Sequence, residues 1–136
     1  MSEYTTVELE MNDADCIKQS LQELGYVFEE HKEAQPLFGY QNDKRSQKAN
    51  IIIRRQHVGA ASNDVGLVKE ANGKYRLIIS EFDRRQQKQG GDFLQKMKQY
   101  YGKNKLLKEC KKHGYVVKGQ KINEKGEMKI KIIVNR

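Results

Sequence analysis

Cysteine, histidine, proline and long apolar runs are all scarce in this chain of 136 residues, and each scarcity removes a class of protein. No stretch approaches the roughly eighteen apolar residues of a membrane span, and residues 1–10 lack the basic-then-apolar start of a signal peptide. A soluble intracellular protein with no membrane partner is therefore expected. The two cysteines, Cys16 and Cys110, sit in helical patterns among apolar neighbours, which predicts buried reduced thiols and neither a disulfide nor a nucleophile. His31, His57 and His113 fall at a strand end, in a loop and at a helix C-terminus, with no metal spacing, and neither Cys-x-x-Cys nor His-Glu-x-x-His occurs. No metal and no cofactor are expected. Phosphate-binding patterns of the Gly-x-Gly-x-x-Gly or Gly-Lys-Ser type are missing too. The acidic pairs Glu29-Glu30 and Glu81/Asp83 read as solvated strand ends in place of an acid–base couple. No catalytic residues are assigned, and the expectation is a protein that is not an enzyme.

What is present points to one domain covering residues 1–136, a size at which roughly two-thirds of the unfolded surface can be buried. Hydrophobic residues make up 37% and charged residues 32%, yet the apolar residues cluster into periodic segments that can form a core. The charge is lopsided. Residues 1–83 hold 10 Lys/Arg against 14 Asp/Glu and residues 84–136 hold 16 against 4, so halves of −4 and +12 combine to the net +8. Such polarity bears on what the surface attracts more than on the fold.

The segment TTVELEM alternates, with Val7, Leu9 and Met11 on one face, and predicts a first strand. Asn12 or Asp13 can cap a helix over 13–24, where Ile17, Leu21 and Leu24 recur at helical spacing before Gly25 ends it. A strand follows near 26–31. From 32 to 48 the pattern stops around Pro36, which predicts a long loop with an apolar island at Leu37, Phe38, Gly39 and Tyr40. ANIIIRR predicts a strand near 50–55. GLVKEANGKYRLIIS predicts a hairpin with Asn72-Gly73 as a two-residue turn, both at positive φ. Asp92 can cap a second helix that stops at Gly114. Two strands over 115–121 and 128–134 close the chain about a turn at 123–126, with Met128, Ile130, Ile132 and Val134 inward. The fold class is α+β, in the order βαββββαββ. It is read as an antiparallel-dominated sheet of about six to seven strands with two helices on one face.

The two helix exits are written alike, as ELGYVFEE at 23–30 and KHGYVVKG at 112–119. A shift of 89 residues places Ile17 on Leu106, Leu21 on Cys110, Gly25 on Gly114 and Tyr26 on Tyr115. Two readings stand. Gly-Tyr is either a convenient helix stop used twice or the trace of a duplicated β-α-β-β unit.

The segments YTTVEL, LGY, FGY, ANIIIR, VGLVKEANGKYRLI and FLQKMKQYYGKNKLLKECKKHGYVV, with the closing hairpin, are spread over nearly the full length of the chain. In them it resembles the hypothetical chloroplast reading frame thirty-five family of red-algal plastids and cyanobacteria, which has bacterial and viral relatives. The resemblance implies a small α+β fold, a cytoplasmic or plastid-stromal location, and no known activity. The chain departs from that family in having EFDRRQQKQGG, without tryptophan, after the central hairpin, so no role for an aromatic there carries over.

The second helix is the feature that asks for a partner. Between 96 and 112 it carries Lys96, Lys98, Lys103, Lys105, Lys108, Lys111 and Lys112 against the single acid Glu109. The helix dipole accounts for lysine only in the last turn, and stability alone would intersperse acids. Lys105, Lys108 and Lys112 share a stripe opposite a core face that should hold Leu106 and Cys110. Either this is a solvated face, or Lys98, Lys103, Lys105, Lys108 and Lys112 contact an anionic partner, with RNA or DNA favoured over an acidic protein surface. A second surface is expected at Ile52, Ile78 and Ile133. These leave the sheet face away from the helices apolar, to be covered by the 32–48 loop, by a second copy in a homodimer, or by a partner protein.

Overall fold

Asp13 starts the first helix and Gly25 ends it, and in the computed structural model both act through the expected hydrogen bonds. The model describes residues 3–85, 91–122 and 128–133, without the side chains of Ile122 and Met128. Extended backbone at Asp13 lets its carboxylate accept from the Cys16 amide at 3.2 Å, which opens α1 (Ala14–Glu23). At the far end Gly25 has φ 90°, and the Tyr26 amide returns to the Leu21 carbonyl at 2.9 Å, the six-to-one bond of a glycine cap. The long helix α3 (Phe93–Lys112) repeats the pattern. Asp92 accepts from the Gln95 amide, Gly114 has φ 73°, and the Tyr115 amide reaches the Cys110 carbonyl at 2.8 Å. A short helix, α2 (Glu81–Arg84), which the sequence reading lacks, lies between them and is capped by Ser80.

The strands divide into two sheets. β1 (Tyr4–Glu8), β2 (Glu29–Phe38), β3 (Lys44–Ile53), β4 (Val65–Lys69) and β5 (Tyr75–Ser80) form one antiparallel sheet in the order β1-β5-β4-β3-β2. Among the described residues β6 (Val116–Ile122) and β7 (Met128–Ile133) pair only with each other. The expected single sheet of six to seven strands is thus five strands plus a separate ribbon. Its predicted turn at 123–126, the predicted inward side chain of Met128 and the predicted inward Val134 lie outside what the structure describes.

Three local expectations are corrected. Leu9 and Met11 are buried, but they lie past the end of β1. The loop expected at 32–48 is mostly the β2–β3 hairpin. Pro36 hid it, yet β2 is an edge strand, where a missing N–H costs no ladder bond, and the register shifts around Gln35 and Pro36. The Asn50 side chain bridges that irregular stretch. It donates to the His31 and Lys32 carbonyls at 3.2 Å and accepts from the Lys69 amide at 3.0 Å. Finally, the β4–β5 turn is a three-residue loop. Glu70 and Lys74 pair across it, and only Gly73, at φ 86°, is left-handed.

Burial separates the two faces of the five-stranded sheet. Ile51, Ile53, Leu67, Leu77 and Ile79 pack with Ile17, Leu21, Phe93 and Met97 in the main core, which lies under α1 and α3. Ile52 and Ile78 turn the other way and cluster with Leu37 and Ala49, flanked by Tyr4 and Val68. Leu37 closes over this face so tightly that a Cβ on Gly66 would sit 3.1 Å from its methyls and 2.6 Å from the Ala49 Cβ. Ile133 is not part of that face: it belongs to the ribbon and is 43% exposed. The repeated helix exits likewise lead to different places. Ile17 is fully buried, while its counterpart Leu106, expected in the core, is 40% exposed.

Candidate anionic-partner interface

α1 and α3 pack side by side, and their seam is electrostatic as well as apolar. Lys108 Nζ lies 2.6 Å from Asp13 Oδ2, and Lys105 Nζ lies 3.4 Å from the same oxygen. Lys103 Nζ lies 2.6 Å from Glu23 Oε1, which also accepts from the Asn104 amide nitrogen at 2.9 Å. The Lys108 hydrogen bond holds the Asp13 carboxyl well below the usual carboxylate range, and Asp13 in turn raises Lys108. Burial pushes Glu23 upward, but hydrogen bonds from Lys103 and Asn104 outweigh it and leave the group below its ordinary value. Lys103, Lys105 and Lys108, expected to contact an anionic partner, pair with Glu23 and Asp13 across the two helices. The premise that α3 lacks intrachain neutralisation holds only for the others. Among the described residues, Lys98, Lys111 and Lys112 are exposed and form no ion pair.

Tyr101 explains why the helices meet in this register. It is buried, and its hydroxyl accepts the amides of Asn12 and Asp13 at 3.2 and 3.1 Å. It thereby satisfies donors at the start of α1 that would otherwise be orphaned.

The ribbon carries exposed lysines of its own. In its register Lys121 opposes Lys129, Gly119 opposes Lys131 and Val116 opposes Ile133. Strand alternation puts these on one face, and all of them are exposed. The other face carries Val117, Ile130 and Ile132, which are half-buried, and the ribbon's main contacts outside itself are with α3. Lys118 sits at the register shift and is exposed. No described acid pairs with any of these lysines. Like charges placed directly opposite each other weaken a strand pair, and among the described residues Lys121 and Lys129 stand in that arrangement. The ribbon lysines lie outside the set expected on the second helix, and their signal in the sequence is the alternating lysines of MKIKII.

A buried polar cluster also escaped that reading. Asp64, 1% exposed, accepts from the Phe38 amide at 2.8 Å, the Arg55 amide at 2.7 Å and Arg54 Nη1 at 2.8 Å. Glu29 grips the same guanidinium at 3.0 Å on two nitrogens, which lowers the Glu29 pKa. Asn63 and Ser80 both donate to Asp83 Oδ2. These bonds tie the β2–β3 hairpin to the start of β4 and to α2, and they fit a structural role. Cys16 lines a shallow groove of about 350 Å³ between the helices with Gln19, Asn104, Leu107, Lys108 and Lys111. Burial raises its thiol pKa, which disfavours the reactive thiolate. Among the described residues no three of His, Cys, Asp or Glu gather as a group that could hold a metal, and no helix is long and apolar enough to cross a membrane.

The family described as Protein of unknown function (DUF1257) matches residues 20–131. The chain belongs to this family. The DUF1257 match spans all the lysines of α3 and of the ribbon named above, together with Asp64, Asp83, Arg54 and Glu29, whereas Tyr4 and Asp13 precede it. No curated protein and no solved structure matches the chain.

Proposed function

We propose that this DUF1257 protein is a non-enzymatic binding or accessory protein whose basic C-terminal half engages an anionic partner, nucleic acid in preference to an acidic protein surface. The observation that carries the reading is the outer face of the β6–β7 ribbon, where Lys121, Lys129 and Lys131 stand exposed without a described acid. The chain tolerates their mutual repulsion, and a polyanion would relieve it. Lys98, Lys111 and Lys112 add exposed positive charge on α3. The rival reading, a protein adaptor or homodimer using the sheet face at Ile52 and Ile78, loses ground because those residues are 0% and 4% exposed. Within the family, the motifs favour the plastid and cyanobacterial reading-frame group and a soluble intracellular place of action.

Affinity purification with and without nuclease tests the proposal. Co-purifying nucleic acid that disappears on nuclease treatment is the expected result. Reversing the charge of Lys98, Lys111 and Lys112 should weaken binding. Reversing Lys44 and Lys69, exposed in the acidic half, should not. Equal losses from both sets would move the assignment to a protein partner.

A further inference from the structure

We infer that the β6–β7 ribbon is itself the contact and that its ligand is B-form duplex DNA, entered through the major groove; the inference rests on the basic-surface reading above. Shape argues first. A ribbon of two strands six to seven residues long is about 20 Å long at roughly 3.3 Å per residue, and its strands lie about 4.8 Å apart. The B-DNA major groove, about 12 Å wide, admits such a ribbon. The A-form RNA major groove is too deep and narrow for side chains to read.

Composition argues second. Single-strand binders need aromatic platforms on which bases stack. From residue 116 to the C-terminus the sequence contains no Phe, Tyr, Trp or His. The nearest aromatic, Tyr115, is stacked on His113 with ring centroids 5.6 Å apart. The outer face offers flexible ammonium groups in place of stacking surfaces. Lys121 and Lys129 start from opposed Cα positions, so each can serve the phosphates of one groove wall. Lys131, next along β7, opposes Gly119, whose missing side chain leaves the centre of that face low. Among the described residues the outer face lacks Arg, Asn and Gln, the bidentate readers of base edges, so binding through it is weakly sequence-selective.

The test is fluorescence anisotropy at low salt with four probes of one sequence: duplex DNA, duplex RNA, single-stranded DNA and single-stranded RNA. The full-length protein should bind duplex DNA at least about tenfold tighter than the other three, with a salt slope of about 0.9 per phosphate contacted. Methyl green, which occupies the major groove, should compete, and netropsin, in the minor groove, should not. Combined K121E, K129E and K131E should reduce DNA affinity at least about tenfold and flatten the salt slope. If that variant loses its cold circular-dichroism signature, the milder K121Q, K129Q and K131Q set replaces it, with a smaller loss in the same direction. Equal binding of all four probes, or a preference for single strands, would overturn the duplex assignment while leaving the basic surface intact. Binding lost only with Lys98, Lys111 and Lys112 would overturn the ribbon as the contact. No binding to any probe would overturn this inference and the proposed function together.

Discussion

Lys108 and Asp13 are 95 residues apart in sequence and 2.6 Å apart in space, and the carboxylate that pairs with this lysine also caps α1. Reversing the charge of Lys108 therefore sets a negative group against Asp13, whose side chain is only 11% exposed. K108E should lower the urea midpoint clearly, while K112E and K98E, exposed and unpaired among the described residues, should leave it nearly unchanged. Asp13→Ala should cost about 1 kcal/mol through the lost cap alone. A double-mutant cycle with Lys108 should show coupling beyond additivity.

Acid should attack the same seam. The folded-state pKa of Asp13 lies well below its unfolded value near about 3.9, so its stabilisation is complete above that value and fades as pH falls towards the folded one. Glu23 and Glu29 are also depressed and contribute with the same sign. Urea midpoints measured from pH 7 to pH 3 should fall below about pH 4. Asp13→Asn keeps a capping oxygen and should flatten that fall; an unchanged slope would show that Asp13 does not contribute to it.

The matched helix exits make paired mutations informative. Gly25 and Gly114 both occupy left-handed backbone, where alanine costs about 1 kcal/mol. Gly25→Ala and Gly114→Ala should each destabilise by about that amount, as read by thermal melting. A Cβ on Gly114 meets nothing within 4 Å, so at that position the cost is conformational and not steric.

Asp64 should be the most sensitive charged position among those described. Its removal leaves the Phe38 and Arg55 amides without that acceptor and Arg54 with Glu29 as its remaining carboxylate, and each donor left unsatisfied costs about 1–3 kcal/mol. Asp64→Ala should reach that range in equilibrium unfolding. An effect below about 1 kcal/mol would mean the network is not what holds the β2–β3 hairpin to β4.

Local chemistry alone determined much of this molecule. Asp13 and Asp92 as caps, Gly25 and Gly114 as stops, and the inward alternation of Ile51, Ile53, Leu77 and Ile79 follow from rules acting within a few residues, so the helices and most strands could be read in advance. Pro36 misled because whether a proline breaks a strand depends on whether that strand lies at the edge, and strand order is a property of the whole sheet. The separation of the β6–β7 ribbon depends in the same way on pairing between distant segments. The candidate surface divided likewise: seven lysines on one helix are visible in the sequence, but only the packing of α3 on α1 decides which of them meet Asp13 and Glu23 and which still face solvent. Charge is a property of residues, and its availability to a partner is a property of the fold.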